Sequence, residues 1–167
     1  KPIERKANLM TANVQNRLTE YQIELPQPSL SVANYVPYVL SGNTLHVSGQ
    51  ITVWNGDLRH EGKLGKNVSI DEGYQAARLC GLNLLAQLKS ACGGDLDRVT
   101  RVVKLGGFVN CSPDFTDHPA VINGASDLMV DVFGDAGRHA RFAVGVSSLP
   151  FGVAVEIDGT FEINKVD

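Results

Sequence analysis

The run Arg138-His139-Ala140-Arg141-Phe142-Ala143-Val144-Gly145-Val146, followed by Leu149-Pro150-Phe151-Gly152 and Val153-Ala154-Val155-Glu156-Ile157-Asp158, decides the reading of the fold. Past Arg141 the first run is apolar. The second alternates Val153, Val155 and Ile157 with Ala154, Glu156 and Asp158, the period of a chain in β conformation. Strands are therefore predicted over Phe142–Ser147 and Val153–Ile163, with Leu149–Gly152 between them. Paired as a hairpin, they would aim Arg141 at one end and Glu156 further along into a single cleft. A guanidinium fork in a concave site suits a carboxylate ligand, and a nearby glutamate can hold or activate a water. By spacing alone, a plain ion pair at a sheet edge accounts for the two residues better than a site does.

Working outward, a helix is predicted over Pro119–Phe133 and a loop over Gly134–Gly137. The Val-rich stretch Arg98–Asn110 reads as a strand, turned at Ser112-Pro113-Asp114. A longer helix runs from about Glu72 to Ala91, with Asp71 as its expected cap and Gly93-Gly94 as its stop. Its apolar stripe is Ala76, Leu79, Cys80, Leu84 and Leu88. Tyr35–Leu40 and Thr44–Ser48 flank the turn Ser41-Gly42-Asn43, a hairpin signal, and Trp54-Asn55-Gly56-Asp57 turns again.

Near the start, Val14, Leu18 and Tyr21 mark a short amphipathic helix that Pro26 and Pro28 stop. Residues 1–10 read as a loose tail. The division is thus 1–30, tail and short helix, and 31–167, one domain. The order β-β-(β)-α-β-α-β-β defines an α+β fold: a mixed sheet with two long helices on one face. The other face is expected to be partly apolar, because the last strand offers apolar residues to both sides. Such a face is commonly buried between subunits, so a homo-oligomer with sites where subunits meet is expected.

The 167 residues fit one domain, and 43% apolar with 20% charged residues is ordinary for a globular chain. The net charge of −3 supplies no positive field for polyanions, and Asp95 and Asp97 lie beside the densest basic group, Arg98, Arg101 and Lys104. Nucleic acid is not an expected partner. No stretch is apolar for a bilayer's width, and the Lys1–Lys6 run has no apolar core behind it, so neither a membrane span nor a secretory leader is expected. Cys80, Cys92 and Cys111 lack CxxC spacing and read as thiols of a reducing, cytoplasmic compartment.

His46, His60, His118 and His139 have no paired ligand spacing, so no metal site is expected. His139, two residues before Arg141, would face the same side of a strand as that arginine. Ser48-Gly49-Gln50 lacks a strand–elbow–helix setting and reads as backbone lining a cleft. Gly106-Gly107 inside a strand signals a bulge or a close backbone approach. Trp54 is either a cover at a cleft mouth or an exposed turn aromatic, and Cys80 reads as core.

Several short motifs carry a resemblance: Ser48-Gly49-Gln50-Ile51, Ala76-Ala77, Asn83-Leu84, Phe108-Val109, Asp114-Phe115, Asn123, Arg141, Leu149-Pro150 and Val155-Glu156-Ile157. In their order and spacing, over roughly Val32 to Ile163, they resemble the reactive-intermediate deaminase (Rid, YjgF-type) family. The likeness is closest to its longer, endoribonuclease L-PSP-like branch. The resemblance implies a chorismate-mutase-like fold, a homotrimer and clefts between subunits, with no cofactor. It implies that Arg141 grips the carboxylate of a 2-imino or enamine acid and that Glu156 positions the hydrolytic water. Tyr38, Ser48, Gly49 and Asn123 match pocket residues, and the implied products are a 2-oxo acid and ammonia. Many members carry a cysteine two residues after the arginine; here Ala143 stands there, which removes a thiol from that position. A non-catalytic trimer binding small carboxylates, and an endoribonuclease, are the alternative expectations.

Overall fold

The computed structural model describes residues 13–165. In chain order these form α1 (Val14–Glu20), β1 (Tyr38–Ser41), β2 (Thr44–Gln50), β3 (Val53–Trp54), β4 (Asp57–Leu58), α2 (Ile70–Ala91), β5 (Val99–Asn110), α3 (His118–Phe133), β6 (Ala140–Val146) and β7 (Val155–Ile163). The fold is α+β, as the periodicities predict. The tail expected at residues 1–10 lies outside the described residues.

Five strands form one sheet in the order β1-β2-β7-β5-β6. All neighbours are antiparallel except β5 and β6, which run parallel. This overturns the expected hairpin of the last two strands. β5 lies between β6 and β7, bonded to both. The physical reason is burial: β7 carries Val155, Ile157, Phe161 and Ile163, all 0–1% exposed, and belongs at the sheet's centre. The less apolar β6 is left at the edge, joined to β7 by a crossing that includes a 3-10 turn at Pro150–Gly152.

β7 also corrects the expectation about the second face. Its burial alternates strictly: Val155, Ile157, Gly159, Phe161 and Ile163 are turned to the helices, while Glu156, Asp158, Thr160 and Glu162 are turned away. The uncovered face therefore takes carboxylates from β7. Its apolar share includes Val144, paired with Phe108, and the rings of Phe108 and Phe142, which meet edge-on with centroids 5.3 Å apart. Gly106 is where the backbone comes close, since a side chain there would run into Asp158 and the Phe142 ring.

α2 and α3 cover the other face together. They pack closely because Gly124 has no β-carbon to strike the Tyr74 carbonyl. Between helices and sheet lie Leu84, Leu85, Leu88, Leu105, Ile122, Leu128, Met129 and Phe161, each at most 0% exposed. Cys80 is in this core, and its thiol donates to the Val155 carbonyl at 3.4 Å. The cap of α2 is Ser69, not Asp71: Ser69 Oγ accepts from the Glu72 N–H, and the Glu72 carboxylate accepts from the Ser69 N–H. That reciprocal pair satisfies two otherwise orphaned donors, which Asp71, already inside the first turn, could not do. The strand expected from Tyr35 begins only at Tyr38, after Pro37, which has no N–H for a ladder.

Candidate functional site

Arg141 is the second residue of β6, paired in parallel with Leu105, and its side chain lies on the helix side of the sheet. Nη1 donates to Asn123 Oδ1 at 2.9 Å and to Ser126 Oγ at 3.0 Å; Nη2 reaches the Pro119 carbonyl at 3.5 Å. Positions 119, 123 and 126 recur at i, i+4 and i+7, one face of α3, so a single rigid helix holds the guanidinium.

His139 reaches the same hydroxyl, as its position two residues before Arg141 predicts. Its Nδ1 lies 2.6 Å from the Gly137 carbonyl, which can only accept, so Nδ1 carries the proton. Nε2, 2.9 Å from Ser126 Oγ, then accepts from the hydroxyl, and the hydroxyl oxygen accepts from Arg141. Burial holds the His139 pKa below its ordinary value; the bond to Gly137 opposes this, and Arg141 and Arg101 add to it. A neutral imidazole is what the chain of hydrogen bonds requires.

Among the described residues the guanidinium has no carboxylate within 4.0 Å; the ion pair found there is Arg138 with Asp135. The simple Arg141–Glu156 ion pair is thus absent. The two residues project to opposite sides of the sheet, so one protomer does not aim both into one cleft.

Glu156 faces the uncovered side beside Gly49 of β2. A β-carbon on Gly49 would stand 2.5 Å from Glu156 Oε1, so glycine lets the carboxylate lie directly over the β2 backbone in this position. Burial, and then the charge of Asp158, raise the Glu156 pKa above its ordinary value. Ser48 donates its hydroxyl to the Val36 carbonyl at 2.8 Å and, with Gly49, lines a shallow depression of about 200 Å³ beneath the exposed Phe151. Tyr38 stands apart, its hydroxyl 3.5 Å from Ser90 Oγ at the end of α2.

The predicted residues therefore form two groups. Arg141 and Asn123 sit on the α3 side; Ser48, Gly49 and Glu156 line the other; Tyr38 joins neither. Ser126 escaped the sequence reading, although its place three residues after Asn123 was the available signal. Trp54 lies in the small β3–β4 ribbon with Arg59 stacked 5.6 Å from its ring centre. Among the described residues no three His, Cys, Asp or Glu side chains gather as metal ligands, and no helix is long and apolar enough to cross a membrane.

A mixed sheet backed by two helices, with an edge-strand arginine hydrogen-bonded to one of them and, among the described residues, unpaired with any carboxylate, defines the class as an α+β protein. Residues 15–156 match the family described as "YjgF/chorismate mutase-like, putative endoribonuclease". The chain belongs to this family. Protein TCP17 of Trypanosoma cruzi is 50% identical over 156 residues, 93% of this chain and 97% of that one. Protein Atu1372 of Agrobacterium tumefaciens, of unknown function, is 47% identical with a TM-score of 0.85, covering 90% of this chain and 92% of its own. A protein of Shewanella oneidensis described as a "putative endoribonuclease" is 36% identical with a TM-score of 0.87, over 90% and 99% of the two chains. Rid-family proteins are also among the structural neighbours.

Proposed function

We propose that the protein hydrolyses 2-imino or enamine acids to 2-oxo acids and ammonia, in clefts shared between copies of the chain. One observation carries this reading. A guanidinium pinned by Asn123 and Ser126 keeps further donors free and has no carboxylate of its own within reach among the described residues. Such a fork is preorganised for an anionic substrate group.

The chemistry needs little more. An imine carbon is already electrophilic, and more so once its nitrogen is protonated. Arg141 fixes the carboxylate; Glu156 accepts a proton from water as its oxygen bonds to the imine carbon. Glu156 then passes that proton to nitrogen and takes the proton of the new hydroxyl, so that the carbonyl forms as the carbon–nitrogen bond breaks and ammonia leaves. A carboxylate whose pKa is raised by burial is a stronger base for that step. Because Arg141 and Glu156 leave opposite faces of one sheet, the reading requires that one copy supply the arginine and its neighbour the glutamate. A threefold assembly, as the family resemblance implies, provides such pairings.

Ammonia release from enzymatically generated 2-imino acids tests the reading. Arg141→Ala and Glu156→Gln should each cut it by about a hundredfold or more while the oligomer persists. Co-assembled in equal amounts, the two inactive chains should recover about a quarter of the activity, because random pairing joins an intact Arg141 to an intact Glu156 at that frequency. No recovery would mean that both residues serve from one chain, or that neither is catalytic. Carboxylate binding without turnover would support the non-catalytic reading instead.

A further inference from the structure

Further along the same face of β6, past Ala143, the strand reaches Gly145 in the wall of a cleft of about 670 Å³. Cys111 follows β5 directly and His118 opens α3, so two separate elements bring a thiol and an imidazole together there. Cys111 Sγ lies 3.5 Å from His118 Nε2. Gly145 makes this meeting possible: a β-carbon there would stand 2.5 Å from Nε2 and 2.7 Å from Sγ. The Phe115 ring stands edge-on to the imidazole, centroids 5.4 Å apart at 87°, and fixes its plane.

The cleft is also cationic. Lys63 donates to Asn110 Oδ1 at 2.6 Å and to the Ser147 carbonyl, which leaves its third proton for a ligand. Exposed Lys66 adds a second ammonium to the wall. The other cysteines differ: Cys80 is 0% and Cys92 2% exposed, and burial pushes both thiol pKa values up, whereas Cys111 borders the cleft at 9%.

We propose that this cleft is a thiol-addition site for small carboxylates that carry an electrophilic carbon, with Cys111 as nucleophile, His118 as its base and Lys63 and Lys66 as the carboxylate's hold. With an α,β-unsaturated acid, Nε2 takes the thiol proton and sulfur bonds to the β-carbon. The π pair moves to the α-carbon, which takes the proton back from His118. Nothing leaves, and no oxidant enters.

The test treats the full chain at neutral pH with iodoacetate or iodoacetamide, and maps modified peptides by mass over time. Here sulfur displaces iodide, and the thiol proton passes to His118. Cys111 should react faster than free glutathione, with Cys80 and Cys92 untouched as markers of the folded state. Its iodoacetate-to-iodoacetamide rate ratio should exceed that of glutathione by roughly two- to fivefold, the range of a weak exposed charge pairing. Lys66→Ala, at an exposed side chain, should bring that ratio back towards glutathione's. His118→Gln should slow Cys111 by at least about tenfold for both reagents. A Cys111 that reacts no faster than glutathione, or equally fast in His118→Gln, overturns the nucleophile; a ratio equal to glutathione's overturns the carboxylate preference.

Discussion

Arg141 and Glu156 sit in opposite kinds of surroundings. The arginine is held at several points by one helix face: Asn123 and Ser126 take Nη1, Pro119 meets Nη2, and His139 fixes Ser126 from behind. The glutamate stands half-buried against Gly49, and among the described residues its carboxylate makes no side-chain hydrogen bond; burial and Asp158 both disfavour its charge. An anchor works best when its geometry is settled before the ligand arrives. A base works best when its proton is loosely matched to its surroundings near the working pH. The contrast between a pinned cation with donors to spare and a carboxylate without a side-chain donor is what a binding half and a reacting half require.

The largest effect should come from breaking the pinned side. Arg141→Ala removes a fork able to make two charge-assisted hydrogen bonds, about 3–4 kcal/mol together, so kcat/KM for ammonia release should fall roughly a hundred- to a thousandfold. Arg141→Lys should recover little. An ammonium cannot copy the planar fork and cannot hold Asn123, Ser126 and a ligand together. Steady-state kinetics across a series of 2-imino acids checks both. Glu156→Gln comes next: kcat should fall about a hundredfold with KM nearly unchanged, because only the proton transfer is lost. If KM rises and kcat holds, Glu156 binds substrate and the division of labour between the two regions is wrong.

How much of this was legible follows from what each feature depends on. The helices were readable because apolar spacing on α2 and α3 is a local property. The strand pairing was not. Nothing local to β6 and β7 says that β5 will come between them; that choice is made by which strand must be buried on both sides of the ladder, a property of the whole sheet. Arg141 was legible from the strand that it opens and Asn123 through family likeness, and Ser126 could have been found beside them by following the helix face three residues on. The glutamate's relation to Gly49 was hidden, since β2 and β7 meet across more than a hundred residues of sequence. The cap of α2 was misread for a smaller reason: Asp71 and Ser69 are both good caps, and only the reciprocal bond with Glu72 decides between them.

Ser126→Ala sharpens the comparison from the other side of the arginine. It leaves the charge in place and removes the hydroxyl that Arg141 and His139 share. Losing one partner of a partly buried network costs about 1–2 kcal/mol, so KM for the imino acid should rise roughly five- to thirtyfold with little change in kcat. A loss confined to kcat would mean that Ser126 takes part in the reaction and does not merely orient the fork. Ser126→Thr, which keeps the hydroxyl, should restore most of the affinity.

The smallest expected effect is one of sign, and it separates the two regions by pH. The folded pKa of His139 is lowered from 6.5. Its contribution to stability is therefore complete above that value and is lost as pH falls from 6.5 through the lowered folded value. Protonated Nε2 can no longer accept from Ser126, so the arginine's support weakens in the same window. The folded pKa of Glu156 is raised from 4.5, so its penalty is absent below 4.5 and grows as pH rises through the raised folded value. Thermal melts across pH 4 to 8 distinguish them: Glu156→Gln should melt above the parent near pH 7 and converge with it towards pH 4. His139→Asn should melt below the parent near pH 8 and lose that deficit in acid. A Glu156→Gln variant that is no more stable than the parent at neutral pH would mean that the glutamate finds a donor in the assembled protein, and the unsatisfied half of the contrast would then be filled by a neighbouring copy.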